Sequence, residues 1–422
     1  MLSERDLATL GASTVEVPPD ESHFVVVLGA NSAMRFPDDP VPLLVRQVPT
    51  EIGPADLIFR TRYSEEGYEA PVPRELWIEA RGSTAAEFDS AINAYGRAAH
   101  SFLGFIGLSA NAAVEDPEVK IAFDNTAGRD EHPYFAQFVP EARGVPLPGR
   151  LVDGNATAEL LDCFNDHSEF DRLTRAVEQY RTALVNWRPG REILALAHLF
   201  MGMEALTKVA LRRELEREAL SSPADLAARW GIEIKALDGE VRRRILFRGD
   251  AETTAKAKKA SDGFEHGFLH AMDIRQLATE ARDKTATYLR TAILDLVGAS
   301  DDLRATLTKS PFDTPLNPWV VRYMRGTLRG DAEELAAPDQ HYPIFRWHSK
   351  LKSHKRNDDG SYTIEMEENL TARFNPELKF ERSSFEMWGS REGLIGRPEF
   401  TAEPEKHTFQ PDKEDLGEQS QA

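Results

Sequence analysis

Residues 193–211 read ILALAHLFMGMEALTKVAL. A run this long and apolar approaches the ~20 residues a membrane span needs. It also carries His198, Glu204 and Lys208, and ionisable groups at membrane depth are costly. The stretch therefore reads as a helix, apolar on most sides, lying in the middle of a soluble bundle. That reading decides the fold class of this region, because a central buried helix needs other helices around it.

The neighbouring sequence supplies them. Upstream, Phe170, Leu173, Val177, Tyr180, Leu184 and Trp187 step by three and four, which places them on one helical face. Pro189-Gly190 breaks the chain before the central helix begins at Arg191. Downstream, SSPADLAARWG (221–231) has the form of a short capped helix with proline near its first turn. Two further helical segments are expected around 238–248 and 273–297. The last offers Ile274, Leu277, Ala281, Ala286, Leu289, Ile293 and Leu296 for a buried side. An all-α bundle is expected over 157–298.

The flanks read differently. HFVVVLG (23–29), PLLVRQV (42–48), DLIFRTRY (56–63), ELWIEAR (75–81) and VKIAFD (119–124) are short, rich in Val, Ile and aromatics, and bounded by Pro, Gly and Asp. They predict strands in a β-rich N-terminal domain, 1–150. One helix interrupts them, with Phe88, Ile92, Tyr95, Ala99, Phe102 and Ile106 on one face; Thr84 and Glu87 have capping-box spacing at its start. The Pro/Gly-rich GVPLPGRLVDGNA (144–156) is the expected boundary. A β-rich C-terminal segment is expected over 315–400, followed by a polar, charged tail, 401–422, read as disordered. The expected class is thus α+β, and no repeat of solenoid or propeller period is present.

The chain has 422 residues and a formal net charge of −19. That charge disfavours broad attraction to phosphate backbones, which rests on cationic contacts. Cys163 is the single cysteine, so no intramolecular disulfide can form, and a reducing cytoplasm fits. The N-terminal MLSERDLATLGAS lacks the long apolar core of a signal peptide. A cytoplasmic protein without membrane association is expected.

Four stretches carry candidate chemistry. In FRWHSKLKSHKRNDDGSYTIEM (345–366), Arg346, His348, Lys350, Lys352 and His354 form a basic row. With Asp359-Gly360 as a two-residue hairpin turn, His354 is expected opposite Glu365 and Lys352 opposite Glu367. Such cross-strand pairs contribute about 0.2–1 kcal/mol each and need no ligand. The alternative is contact with RNA or DNA through Arg346, Lys350 and Lys355. In FEHGFLH (264–270), His266 and His270 have the spacing that puts two metal ligands on one helical face, with Glu265 or Asp273 to complete a set. The alternative is a loop with two polar histidines, one of them capping the next helix.

Arg191 and His198 are seven residues apart, nearly on one helical face and about 10 Å apart along the axis. They could hold a phosphodiester and move a proton; alternatively Arg191 is exposed and His198 is a hydrogen-bonded core residue. GANSAM (29–34) has one glycine and is no phosphate loop, Ser32 lacks a nucleophile-elbow context, and Cys163 reads as packed within a helix.

The stretch QYRTALVNWRPGREILALAHLFMGMEALTKVALRREL, with RRRILFRGD and KKASDGFEHGF after it, resembles the paired helices of the HEPN superfamily over 157–298. The resemblance implies a helical bundle of a kind found in bacterial toxins, phage-defence proteins and RNases, with dimerisation through the bundle. It also implies an Arg–polar motif followed four to six residues later by His. Arg191-Glu192 to His198 fits that count but lies earlier than the motif does. Arg244 and Arg248 lie where it belongs, yet their next histidine, His266, is far beyond the count.

Three readings follow. The first is a non-enzymatic binding or assembly protein, a homodimer through the bundle, with RNA as a candidate partner and no cofactor. The second is a metal-independent ribonuclease using Arg191 and His198. The third is a metal-dependent hydrolase at His266 and His270. An exposed Arg191 with a buried His198 would favour the first.

Overall fold

A computed structural model describes residues 15–36, 43–64, 72–128, 132–136, 150–165, 167–317, 320–330, 336–338, 344–356, 362–389 and 393–396. The 401–422 tail and Asp359-Gly360 lie outside them. The α+β expectation holds: an antiparallel sheet comes first, then a run of helices, then strands near the C-terminus.

The N-terminal strands are β1 (Ser22–Ala30), β2 (Met34–Arg35), β3 (Leu43–Val48), β4 (Ala55–Ser64), β5 (Val72–Thr84), β6 (Glu118–Asp124), β7 (Tyr134–Ala136) and β8 (Arg150–Leu151). They form an antiparallel sheet in the order β3-β4-β5-β1-β6-β7, and β2 pairs in parallel with β8. β1 is buried on both faces. Phe24, Val26 and Leu28 join the main core, while Val25 and Val27 pack with Trp77 on the other side. This explains why FVVVL is a continuous apolar run and not an alternating one.

The helices are α1 (Phe88–Ala110), α2 (Gly154–Phe164), α3 (Phe170–Val185), α4 (Glu192–Arg217), α5 (Pro223–Trp230), α6 (Leu237–Val241), α7 (Ala251–His266), α8 (Ala271–Leu296) and α9 (Asp301–Thr308). A π-helical turn, Arg242–Leu246, follows α6. α4 is long and apolar enough to cross a membrane, but most of its apolar stretch is buried inside the protein. Ser222 caps α5 by accepting the Asp225 amide, with Pro223 in the first turn, as its sequence predicts. The capping box at Thr84 and Glu87 does not form. β5 runs through Thr84, whose hydroxyl donates to the Ile52 carbonyl, and α1 begins only at Phe88.

α1 joins the sheet to the bundle. Its Phe88 and Phe102 meet Phe24 and Phe59 of the sheet, at ring separations of 5.5 and 6.3 Å. On its bundle side, Phe105 packs edge-on against Phe164 at 4.8 Å. At Gly104 α1 comes so close to α3 that a Cβ would stand 2.9 Å from Val177. Gly202 does the same for α4 and α8, where a Cβ would stand 2.6 Å from Leu289. Sheet and helices consequently share one hydrophobic core.

The end of α1 is held by buried arginines. The last carbonyls of a helix have no intrahelical donor. Here Arg290 of α8 donates to Leu108 and Ser109, and Arg150 of β8 donates to Ala110 and Asn111. Arg290 also reaches the Leu307 and Phe312 carbonyls, and Arg150 the Thr314 carbonyl, so the returning segment is tied to the same point. Asn111 ends α1 in the left-handed conformation (φ 48°) and accepts the buried Tyr180 hydroxyl at 2.7 Å. Burial lifts that phenol to about 12, so it stays a donor.

The remaining described strands, from Val320 onward, belong to a second compact unit. β9 (Val320–Arg329), β12 (Lys379–Gly389) and β13 (Gly393–Gly396) form a sheet in the order β13-β12-β9, and β10 (Ile344–Arg356) pairs with β11 (Tyr362–Arg373). The β10–β11 hairpin exists, but in a different register from that expected. His354 stands opposite Ile364, not Glu365, and Glu367 stands opposite Lys350, not Lys352. Pairing begins at Arg356 and Tyr362, one residue out of step with a two-residue turn, and a bulge between Leu351 and Ser353 shifts it once more. The basic row is therefore not matched residue by residue with glutamates.

Replacing Arg290 by Met should remove four donated hydrogen bonds and leave buried carbonyls without a donor. With each unsatisfied group costing about 1–3 kcal/mol, the total loss should be at least ~3 kcal/mol. Urea unfolding checks this; a loss below about 1 kcal/mol would show that other groups satisfy those carbonyls.

Candidate functional site

α4, α8, α9 and the π-helical turn enclose a cleft of about 710 Å³. Arg213, Arg217, Arg244, Arg248 and Arg304 line it, against the carboxylates of Glu214 and Asp295. Glu218, Glu240 and Asp301 pair with Arg217, Arg244 and Arg304 from around the cleft, so it gathers arginines whose charges are met by carboxylates, in a chain whose net charge is −19. The remaining lining residues are apolar or aromatic, among them Trp230, Ile245 and Leu296.

Local structure explains how the arginines converge. Arg213 and Arg217 are four apart on α4 and share a face. Arg244 lies within the π turn, whose extra residue per turn closes with the Phe247 amide donating to the Arg242 carbonyl. The turn ends with Arg248 at φ 51°, a left-handed conformation that costs a non-glycine residue about 1–2 kcal/mol, and Gly249 at φ 83°. Arg304 comes from α9.

Three of these arginines meet at Asp295, in the last turn of α8. Arg304 donates to Oδ1 at 2.6 Å and Arg248 to Oδ2 at 3.0 Å, one arginine per oxygen. Arg213 donates to the Asp295 carbonyl, where the negative end of the helix dipole also favours a cation. Arg217 pairs with Glu214, and Arg244 lies 4.7 Å from the Trp230 ring centroid while donating to Glu240 at 2.7 Å. Hydrogen bonds from Arg243 and Arg244 hold the Glu240 carboxyl down at about 2, so it is ionised at any ordinary pH.

The other candidates are placed as follows. Arg191 is exposed at the N-cap of α4, its guanidinium 3.5 Å from the Asn186 amide oxygen. His198 is half-buried, with Nδ1 2.8 Å from Gln179 Oε1. Burial pushes its imidazole below the ordinary value, with Glu178 opposing. His266 and His270 do not share a helical face: α7 ends at His266, Gly267 turns left-handed (φ 66°), and His270 is the N-cap of α8, accepting the Met272 amide. The glycine is the reason the expected spacing fails. Among the described residues no group of three His, Cys, Asp or Glu side chains could hold a metal ion. Of the three nucleic-acid candidates on β10, Lys350 stands opposite Glu367, whereas Arg346 and Lys355 stand opposite Thr371 and Thr363. Cys163 is half-buried, and burial raises its thiol, as befits a packed residue.

The arginine cleft was not foreseen as a site. Its residues lie between 213 and 304, and only the RRRILFRGD run, with Arg244 and Arg248 four apart, signals it in the sequence.

The His198 environment fixes a pH dependence. Its folded pKa lies below its unfolded one, so the unfolded chain takes up the proton first as pH falls. Stability is expected to be full above about pH 6.5 and to decline below it. His23, also depressed by burial, adds to the trend. Urea midpoints at pH 7 and pH 5 should differ less in His198→Gln than in wild type, with a residual slope from His23.

No family model matches the chain, no curated protein matches it, and no solved structure matches its fold.

Proposed function

We propose that this is a non-enzymatic cytoplasmic binding protein, built on a HEPN-like bundle, that captures an anionic partner in the arginine cleft. The observation that carries this reading is the composition of the cleft. Its described lining combines five arginines with apolar walls and includes no histidine, cysteine, serine or threonine. Such a surface suits anion binding, and its two carboxylates are both held by arginine hydrogen bonds. The exposed Arg191 and the half-buried, hydrogen-bonded His198 also favour binding over cleavage. Exposed Phe264, Phe268 and Met272, near the junction of α7 and α8, support dimerisation through the bundle.

The purified full chain should be retained on phosphocellulose at low salt and released as salt rises, since exposed charge pairs are screened within about 10 Å at 0.1 M. The Arg213→Gln/Arg217→Gln double variant should elute at distinctly lower salt. Incubation with total RNA, with and without chelator, should leave the RNA intact. Robust cleavage by wild type, lost in His198→Gln, would replace this reading with the ribonuclease one.

A further inference from the structure

We infer that the cleft takes a compact, multiply phosphorylated small molecule, and that Asp295 holds the place of one of its phosphoryl groups until it arrives. The inference rests on the binding function proposed above and adds the ligand class and the residue that gates it.

Asp295 presents two side-chain oxygens, each taken by one arginine: Oδ1 by Arg304 and Oδ2 by Arg248. Arg213, which reaches the same point, donates instead to the backbone carbonyl. A carboxylate has no third oxygen to offer it. A terminal phosphoryl group has three, arranged tetrahedrally, and can accept from guanidinium forks arriving from three elements. The positive φ of Arg248 turns the chain so that its side chain joins this meeting point. The arginines are thus preorganised around a stand-in anion.

Size and charge set the rest of the ligand. A volume of about 710 Å³ lies within the ~300–1,000 Å³ range of small-molecule sites. An extended polyanion would run beyond the five arginines into the field of a chain carrying −19, whereas a compact one stays among them. The Arg244 guanidinium already stands over the Trp230 ring, so the cleft offers charge and little free aromatic surface for stacking. The ligand class is therefore polyphosphate-like and needs no ring.

The test is calorimetric titration of the full chain with inorganic triphosphate, for wild type, Asp295→Asn, Asp295→Ser, Arg248→Gln and Arg304→Gln. Wild type should bind. Removing the stand-in charge should tighten binding about fivefold, which is ~1 kcal/mol, the upper range of an exposed ion pair. Each arginine variant should weaken it. The serine variant covers the case in which the asparagine variant folds poorly. Independently, triphosphate should protect Arg213, Arg248 and Arg304 of wild type from phenylglyoxal, read by mass spectrometry. Binding that is equal in wild type and both Asp295 variants overturns the place-holder role. Retention on phosphocellulose without triphosphate binding overturns the ligand class and leaves the anion-binding function standing. Loss of both overturns the function as well. RNA that displaces triphosphate at a lower concentration of phosphate groups would overturn the preference for a compact ligand.

Discussion

The C-terminal end of α1 is the point on which the larger unit depends. A helix that ends inside a protein leaves carbonyls which water cannot reach, and burying them unpaired is costly. Here the donors are two arginines distant in sequence, one from β8 and one from α8. The same two side chains reach carbonyls of the segment that returns after α9. Sheet, bundle and returning segment are thereby fixed to one another by hydrogen bonds with directional demands, while the apolar core around them is indifferent to such detail. The helix dipole adds to the effect, because both cations sit at its negative end. Burial nevertheless pushes the Arg290 guanidinium below its ordinary value; the cost of desolvation is real and the carbonyl acceptors offset it.

The two groups of arginines do different work because their acceptors differ. Arg150 and Arg290 are nearly inaccessible and bound to backbone carbonyls, which no ligand can displace without unfolding the helix end. Arg217, Arg248 and Arg304 are partly or largely exposed and bound to carboxylates, which are anions of the kind a ligand would bring. Exchange of one anion for another at a surface involves little net desolvation, and exposed pairs contribute only about 0–1 kcal/mol each. The first group belongs to the frame of the fold; the second consists of exposed pairs that contribute little to it.

Much of the fold was legible in the sequence, for physical reasons that also explain the exceptions. The long helices follow from side-chain periodicity, and the strands of the first sheet from short Val-, Ile- and aromatic-rich runs bounded by Pro, Gly and Asp. Ser222-Pro223 announced α5 because a cap and its first turn are local chemistry. Thr84 and Glu87 had capping spacing as well, but β5 needed Thr84 as its last residue, and pairing with β1 outranked the cap. The hairpin register was misread because a bulge at Lys352 leaves no mark in composition. Gly267 could have warned that His266 and His270 lie on separate helices, since a left-handed glycine is a common way for a helix to end. Arg290 left a clue of another kind. It follows Leu289 and stands four after Ala286, an arginine within an otherwise apolar stripe, which calls for buried acceptors somewhere in the fold. The cleft had almost no signature, because its arginines come from separate elements and only packing brings them together.

The groups whose acidity burial shifts lie away from the arginine cleft. Tyr95 and Tyr180, both lifted to about 12, lie in the core against α1 and its neighbours. Glu79, raised by burial, sits on the sheet between Arg60 and Arg81. His198 is lowered and hydrogen-bonded to Gln179 of the adjacent helix. None of these four lines the arginine cleft. Acid–base catalysis requires that a tuned proton carrier and a cationic anion-holder face the same volume. In this molecule the groups tuned by burial serve packing, and the arginines of the cleft stand apart from them.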